Sequence, residues 1–272
     1  MAGNRLAVNG TSSCAGEFES IRFLTQSRNR VRILRILMEA GGCRRGECQQ
    51  RLDISRTTVQ RNLDAMVERG WVVETADGYT LTTSGHQLIT SFDEFAESVR
   101  TIDRFQSFLQ RVSPQEFPVD VRHLDDAKIT VASANDPYAP VERQAQLFQA
   151  AHEFRLCTDL LGRSLFERIC RRAASRECEG ELLLTAGALE TLRSDATYAE
   201  LYTDLTETDR VQVYEYPGQL PYALGIADEA IQISVEDEQH HLQALLETDS
   251  PRLREWAEQR YAAHKQRATP VA

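Results

Sequence analysis

Lysine is nearly missing. Of 31 basic residues in the 272-residue chain, only Lys128 and Lys265 are lysines, and the rest are arginines. Against 41 acidic residues this leaves a net charge of −10. An acidic, lysine-poor chain that keeps its arginines fits a cytosol at molar salt, where a large net charge preserves solubility under strong screening. A G- and C-rich genome, which favours arginine codons, gives the same lysine deficit; the acidity favours the halophilic reading. No apolar run approaches the roughly 18 residues that span a bilayer. The opening MAGNRLAVNGTSSCAG lacks the continuous apolar core of a secretory signal. A cytoplasmic chain with no membrane partner is expected.

Chemistry motifs are also scarce. There is no G-x-S-x-G, no G-x-x-x-x-G-K and no H-E-x-x-H, so no catalytic set, no cofactor and no enzyme are expected. The six cysteines are Cys14, Cys43, Cys48, Cys157, Cys170 and Cys178. None forms Cys-x-x-Cys, no His stands near Cys43 and Cys48 at zinc-finger spacing, and mostly reduced, incidental thiols are expected. His240-His241 follows Glu236-Asp237-Glu238. Adjacent residues on a helix point about 100° apart, so this reads as a solvated acidic segment, with no metal site. No internal repeat is visible.

What is there begins with an uneven charge. Residues 21–85 hold 11 basic and 7 acidic residues, net +4, while residues 86–272 are net −13. One basic module on an acidic chain suggests a polyanion-binding domain attached to something that is not one. The length favours two domains.

The basic module centres on Arg44 to Thr83. Ser27 is a candidate cap for a helix carrying Val31, Ile33, Leu34, Ile36, Leu37 and Met38, which Gly41-Gly42 stops. Arg44 to Leu52 follows as a first helix, with Arg44 and Arg45 placed to meet phosphates. Ser55 can cap a second helix. Val59, Leu63, Met66 and Val67 make one apolar stripe of it. Its other face offers Arg56, Thr57, Gln60, Arg61 and Asp64, side chains that donate to phosphates and read base edges. Gly70 ends it. Asp77-Gly78 between two short β segments is a strong hairpin turn, since both central residues need positive φ. Helix, turn, helix and hairpin is a winged helix-turn-helix. Its expected DNA-binding residues are Arg44, Arg45, Ser55, Arg56, Thr57, Thr58, Gln60 and Arg61, with Asp77, Gly78 and Tyr79 from the wing. The partner is double-stranded DNA. A docking module for another protein, an adaptor without its own operator, is the alternative use of such a fold.

From His86 to Val112 the pattern predicts one long helix. Its seam includes Phe92, Phe95, Val99, Ile102, Phe105 and Leu109 at steps mostly of three or four. Burial against a second copy makes a homodimer that reads two half-sites; packing on the chain's own second half is the alternative. After Pro114 and Pro118, strands are predicted at 128–132, 154–157, 181–185, 211–216, 222–227 and 230–235. Helices are predicted at 141–151, 165–174, 186–194, 197–205 and from Ser250 to about Gln266. The alternation predicts an α/β domain with a mixed sheet. The fold class is therefore an α+β winged helix-turn-helix, a long linker helix and an α/β sensor domain. The expected boundaries are a disordered tail over 1–17, the DNA-binding domain over 18–84, the linker over 85–113 and the sensor over 118–268. Ligand cavities in such layers lie at the carboxyl ends of strands, which nominates Asn135, Asp136 and Tyr138, with Tyr216 and Tyr222 between late strands.

The run Ser27-Arg28-Asn29-Arg30-Val31-Arg32-Ile33-Leu34, followed by SRTTVQRNLDAMVERGWV, resembles the DNA-binding half of winged-helix regulators common in haloarchaea. Asn135-Asp136-Pro137-Tyr138-Ala139-Pro140, Leu220 to Asp228, and Leu245 to Pro251 with Trp256-Ala257 resemble the sensor domain of the same regulators, first named from a methanogenesis regulator. More distantly the chain looks like sugar-responsive archaeal regulators. The resemblance spans about residues 20 to 267. It implies a transcription regulator, a repressor by default, modulated by a small metabolite or sugar.

Overall fold

The computed structural model describes residues 11–271, with side chains from residue 15 onward. The chain divides into two compact units, Met1–Glu97 and Ser98–Ala272. The division falls inside a helix, not at the edges of a separate linker.

The first unit opens with α1 (Thr11–Thr25) and α2 (Arg28–Ala40). Residues 11–17 are thus helical, which corrects the expectation of a disordered tail there; residues 1–10 lie outside the described residues. Helix α2 buries Val31, Ile33, Leu34, Ile36 and Leu37, and Gly41 at φ 68° ends it in the left-handed region. Ser27 stands at the expected cap position but makes no side-chain cap bond. Next come α3 (Arg45–Leu52), α4 (Arg56–Glu68), β1 (Val72–Thr75), β2 (Gly78–Leu81) and α5 (Thr83–Arg104), which runs on past Glu97. Leu34, Leu37, Cys48, Val59, Leu63, Met66, Trp71, Tyr79 and Ile89 share one core. Val67 departs from the expected stripe: it is 38% exposed.

The hairpin turns one residue earlier than expected. Thr75 pairs with Gly78, so Ala76 and Asp77 are the loop and Gly78 is a strand residue. Glycine is needed at 78 for a different reason. Cys43 forms an antiparallel bridge with Tyr79, and a Cβ on Gly78 would stand 2.5 Å from the Cys43 carbonyl oxygen. Cys43 and Cys48 are joined as a disulfide, an exception among cysteines expected to be mostly reduced, while Cys157, Cys170 and Cys178 are free thiols; Cys43 stands just before α3 and Cys48 in its first half.

The second unit holds the end of α5, then α6 (Gln106–Leu109), a 3-10 turn at Val121–Leu124, β3 (Lys128–Val131), α7 (Ala139–Ala150), β4 (Glu153–Thr158), α8 (Arg163–Ala174), β5 (Glu179–Thr185), α9 (Ala186–Ser194), α10 (Ala196–Glu207), β6 (Val211–Tyr216), β7 (Ala223–Ala227), β8 (Ala230–Glu236), β9 (Leu242–Thr248), α11 (Pro251–Lys265) and β10 (Thr269–Pro270). The single long helix expected to Val112 is broken at Phe105, whose ring is fully buried beside Phe108. Arg104 donates to the carbonyls of Leu124 and Asp125, and Thr101 to the Asp125 carboxylate, which ties the end of α5 down.

Eight strands form one mixed sheet in the order β10-β6-β5-β4-β7-β8-β9-β3. The neighbours β6, β5 and β4 are parallel, and the rest pair antiparallel. One face packs on α7 to α10 through Phe148, Phe154, Phe166, Leu182, Leu184 and Leu205. The other packs on α6, α11 and the segment between α6 and β3 through Phe117, Leu124, Leu183, Leu224, Ile233, Leu246 and Tyr261. Strands buried on both faces read as continuous apolar runs, as in Leu182-Leu183-Leu184.

Candidate nucleic-acid interface and effector cavity

In the first unit the exposed face of α4 is held from behind. Ser55 Oγ accepts from the Thr58 amide at 3.2 Å, so the helix starts where the cap dictates. Asn62, buried, donates to the Thr58 carbonyl at 2.9 Å and accepts from Arg30 Nε at 3.2 Å, pinning α4 to α2. Arg30 and Arg69 both stack on Phe23, each 3.7 Å from the ring centre. Burial, then the charges of Arg69 and Arg61, push the Arg30 guanidinium below its ordinary pKa, which marks a locally positive environment.

Arg56, Thr57 and Arg61 are exposed at the front of α4, and Ser55 at its start. Thr58 is half-buried, its hydroxyl 2.8 Å from Ser55 Oγ. Gln60 is engaged at both ends: Arg45 donates to its carbonyl oxygen, and its amide nitrogen donates to Asp64. Arg44 is exposed, and its amide is capped by Glu47 at 2.7 Å. The hairpin departs from expectation. Tyr79 is 6% exposed and belongs to the core, because β2 turns that side inward. Asp77 stays at the tip, and the residues of β1, the loop and β2 include no base.

The apolar seam expected over residues 86–112 divides three ways. Phe92 packs into the first core, while Phe105 and Leu109 pack into the second. Phe95, Val99 and Ile102 remain 65%, 39% and 44% exposed.

In the second unit a cavity of about 540 Å³ lies against the face of the sheet that α7 covers, where β4 and β8 end. The loop after β3 (Ala132, Ser133, Ala134, Pro137, Tyr138) walls one side, with Val141 and Gln144 of α7 above. Thr158, Ala223, Ser234, Glu236 and Gln243 supply strand positions, and His240, His241 and Leu242 the far rim. Of the expected ligand residues only Tyr138 lines it. Asn135 and Asp136 are exposed in the turn that Ser133 and Asp136 close. Tyr216 and Tyr222 lie on the opposite face of the sheet. Tyr216 meets His264 edge-on at 5.1 Å, and Tyr222 donates to the Glu116 carbonyl while accepting from Arg260. Alternation along β6, and from the residue before β7 into that strand, sends those tyrosines away from the cavity. The same alternation carried the missed signal: Gln232, Ser234 and Glu236 are polar steps in the otherwise apolar β8.

The sequence matches the family described as the HVO_A0261 N-terminal domain over residues 18–104, and the middle domain of the methanogenesis regulatory protein FilR1 over residues 137–267. No curated protein matches it. The solved structure of TrmBL2, described as an archaeal chromatin protein that shows a novel mode of DNA binding, aligns over 93% of this chain and 99% of that one, with 12% identity and a TM-score of 0.42. Nuc from Salmonella typhimurium, a phospholipase D family member, aligns over 54% of this chain and 99% of that one, with 9% identity and a TM-score of 0.41. NucT from Helicobacter pylori gives the same coverage at 13% identity and a TM-score of 0.42. Overlaps this loose leave the function to the two domain matches and the residues.

Proposed function

We propose that this chain, which belongs to the regulators that pair an HVO_A0261 N-terminal domain with a FilR1 middle domain, binds specific DNA sites through a winged helix-turn-helix in its first unit. The observation that carries this is the front of α4, where Arg56, Thr57 and Arg61 are exposed while Ser55 and Asn62 lock the backbone behind them. Arginine is the side chain that grips guanine O6 and N7 in two places, and threonine contacts phosphate or a thymine methyl. Arg44, at the start of α3, suits a phosphate. The hairpin carries Glu74 and Asp77 and no basic residue, so it offers no ion pair to a phosphate.

The effector reading rests on the cavity of the second unit, whose size suits a small metabolite. None of its lining residues is lysine or arginine, which favours a neutral polyhydroxy ligand over a phosphorylated one. Phe95, Val99 and Ile102, exposed at steps of four and three on α5, are the surface for a second copy. Repression by occupying the site is the simplest action for such a dimer.

Chromatin capture with the carbon source varied gives operators and effector class together. Arg56→Ala combined with Arg61→Ala should abolish binding to the recovered sites and leave the oligomeric state, by light scattering, unchanged. Undiminished binding by the double variant refutes α4 as the reading helix. Absence of any enriched site favours the adaptor reading.

A further inference from the structure

The rim of the cavity carries an arrangement the sequence hides. Asp159 follows β4, between the lining residues Thr158 and Leu160. Glu236 ends β8. His240 stands in the turn between β8 and β9, which corrects its reading as part of a helix. One ligand atom from each of the three lies within 4.8 Å of the other two. The turn is fixed by Asp237, whose carboxylate accepts from the amides of Gln239 and His241 and from the Gln243 side chain, so His240 is presented toward Glu236 at 3.2 Å. Glu236 is mostly buried and Asp159 half-buried. Farther along the same face of β8, the Gln232 amide is 1% exposed and neither end has a hydrogen-bonding partner, so the polar stripe Gln232, Ser234 and Glu236 runs inward beneath α7.

Two carboxylates and one imidazole from separate elements, with no lysine or arginine along the adjoining cavity wall, want a cation between them. An oxygen, oxygen, nitrogen set suits a first-row transition ion more than calcium or magnesium. Zinc bonds such ligands at about 2.0–2.2 Å, so the ligand atoms reach it after small side-chain rotations. We propose that Asp159, Glu236 and His240 hold a divalent transition-metal ion at the cavity rim, with its remaining positions open to water or to ligand oxygens in the cavity. The metal site stands whether or not the cavity takes an organic effector, since metal binding is read directly.

The test uses the tag-free full chain, stripped with chelator and titrated with Co²⁺ and with Zn²⁺ by calorimetry, and with Co²⁺ by visible absorption. One ion per chain is expected, with d–d bands of an oxygen and nitrogen site. Asp159→Asn and His240→Gln should each weaken binding by about a hundredfold, since each removes a direct ligand. His241→Gln, at the neighbouring position, should retain it. Far-ultraviolet dichroism checks each fold, and His240→Gln, in an exposed turn, keeps the comparison open if Asp159→Asn fails to fold. No saturable binding by the parent chain, binding unchanged in His240→Gln, or a sulfur-to-cobalt charge-transfer band would each overturn the site.

Discussion

Gly85 offers a test in which local propensity and packing predict opposite signs. It lies in the first turn of α5, where glycine to alanine ordinarily stabilises a helix by about 1 kcal/mol. Here a Cβ would fall 1.9 Å from the Trp71 carbonyl oxygen and 2.8 Å from its carbon. That oxygen already accepts the Thr82 amide at 3.0 Å, and Thr82 Oγ1 accepts the Gly85 amide at 3.0 Å, so the start of α5 is clamped to the residue before β1. Relief to an ordinary contact moves backbone against backbone by roughly 1.5 Å. Overpacking of this kind costs about 1–3 kcal/mol or more, and the backbone obstacle puts Gly85→Ala at the upper end. Subtracting the propensity gain leaves a loss of about 2 kcal/mol. In a unit of this size that lowers Tm by roughly 10 °C. The chain has one tryptophan in each unit, Trp71 and Trp256, so Trp256→Phe leaves a reporter for the first unit and Trp71→Phe one for the second. Thermal unfolding followed by fluorescence should show the loss in the first background and no change in the second. An unchanged or raised midpoint in the first background would refute the close-approach argument.

Two further perturbations address the second unit. His264 is buried against Tyr216, and burial, then Arg260 and Arg267, lower its pKa to about 4. The unfolded chain therefore binds a proton that the fold refuses. Stability is full above about pH 6.5 and falls as pH drops toward 4, by about 3 kcal/mol at the limit; urea midpoints should show that loss shrinking in His264→Gln, and an identical acid slope would refute it. Arg143 on α7 grips Glu247 on β9 at 2.6 and 2.8 Å, with Glu247 almost fully buried and Lys128 standing 3.8 Å away. Breaking a buried pair costs about 3–5 kcal/mol. Arg143 is a third exposed and Lys128 remains, so Arg143→Met should cost about 2 kcal/mol, and adding Glu247→Leu should recover most of it, measured by denaturation with Trp256 as the probe; no recovery would mean that the cost lies in packing and not in the stranded charge.

Much of this fold was legible because its elements are locally consistent. The stripe Val59, Leu63 and Met66, the cap at Ser55 and the strand runs such as Leu182-Leu183-Leu184 each state one structure without help from distant residues. Errors arose where tertiary contact decides. Gly78 is required by Cys43, which no hairpin rule can show. Tyr79 reads as an exposed hairpin residue but fills the core beneath the hairpin. The seam from Phe92 to Leu109 obeys one period from end to end, yet its residues serve two cores and an exposed patch, because the helix breaks at Phe105. Strand β9 has no local signal of its own: a short run such as Ala244-Leu245-Leu246 is apolar on both faces, and periodicity cannot separate a buried strand from a buried helix.

The cavity was the hardest part for the same physical reason. Its loop could be placed at a strand end, and Tyr138 does line it. Its chemistry comes from elsewhere, and it depends on pairings across the sheet. Asp159 and Glu236 meet only because β4 pairs with β7 and β7 with β8, and His240 joins them only because β8 and β9 form a hairpin. A helical reading of Glu236 to His241 splays the two histidines and dismisses the group. A strand that ends at Glu236, followed by a turn held by Asp237, aims one histidine at the carboxylates and leaves the other as its control. The same six residues therefore carry opposite functional meanings under the two secondary structures, and the hairpin gives this segment a chemical role that composition alone assigned to solvent.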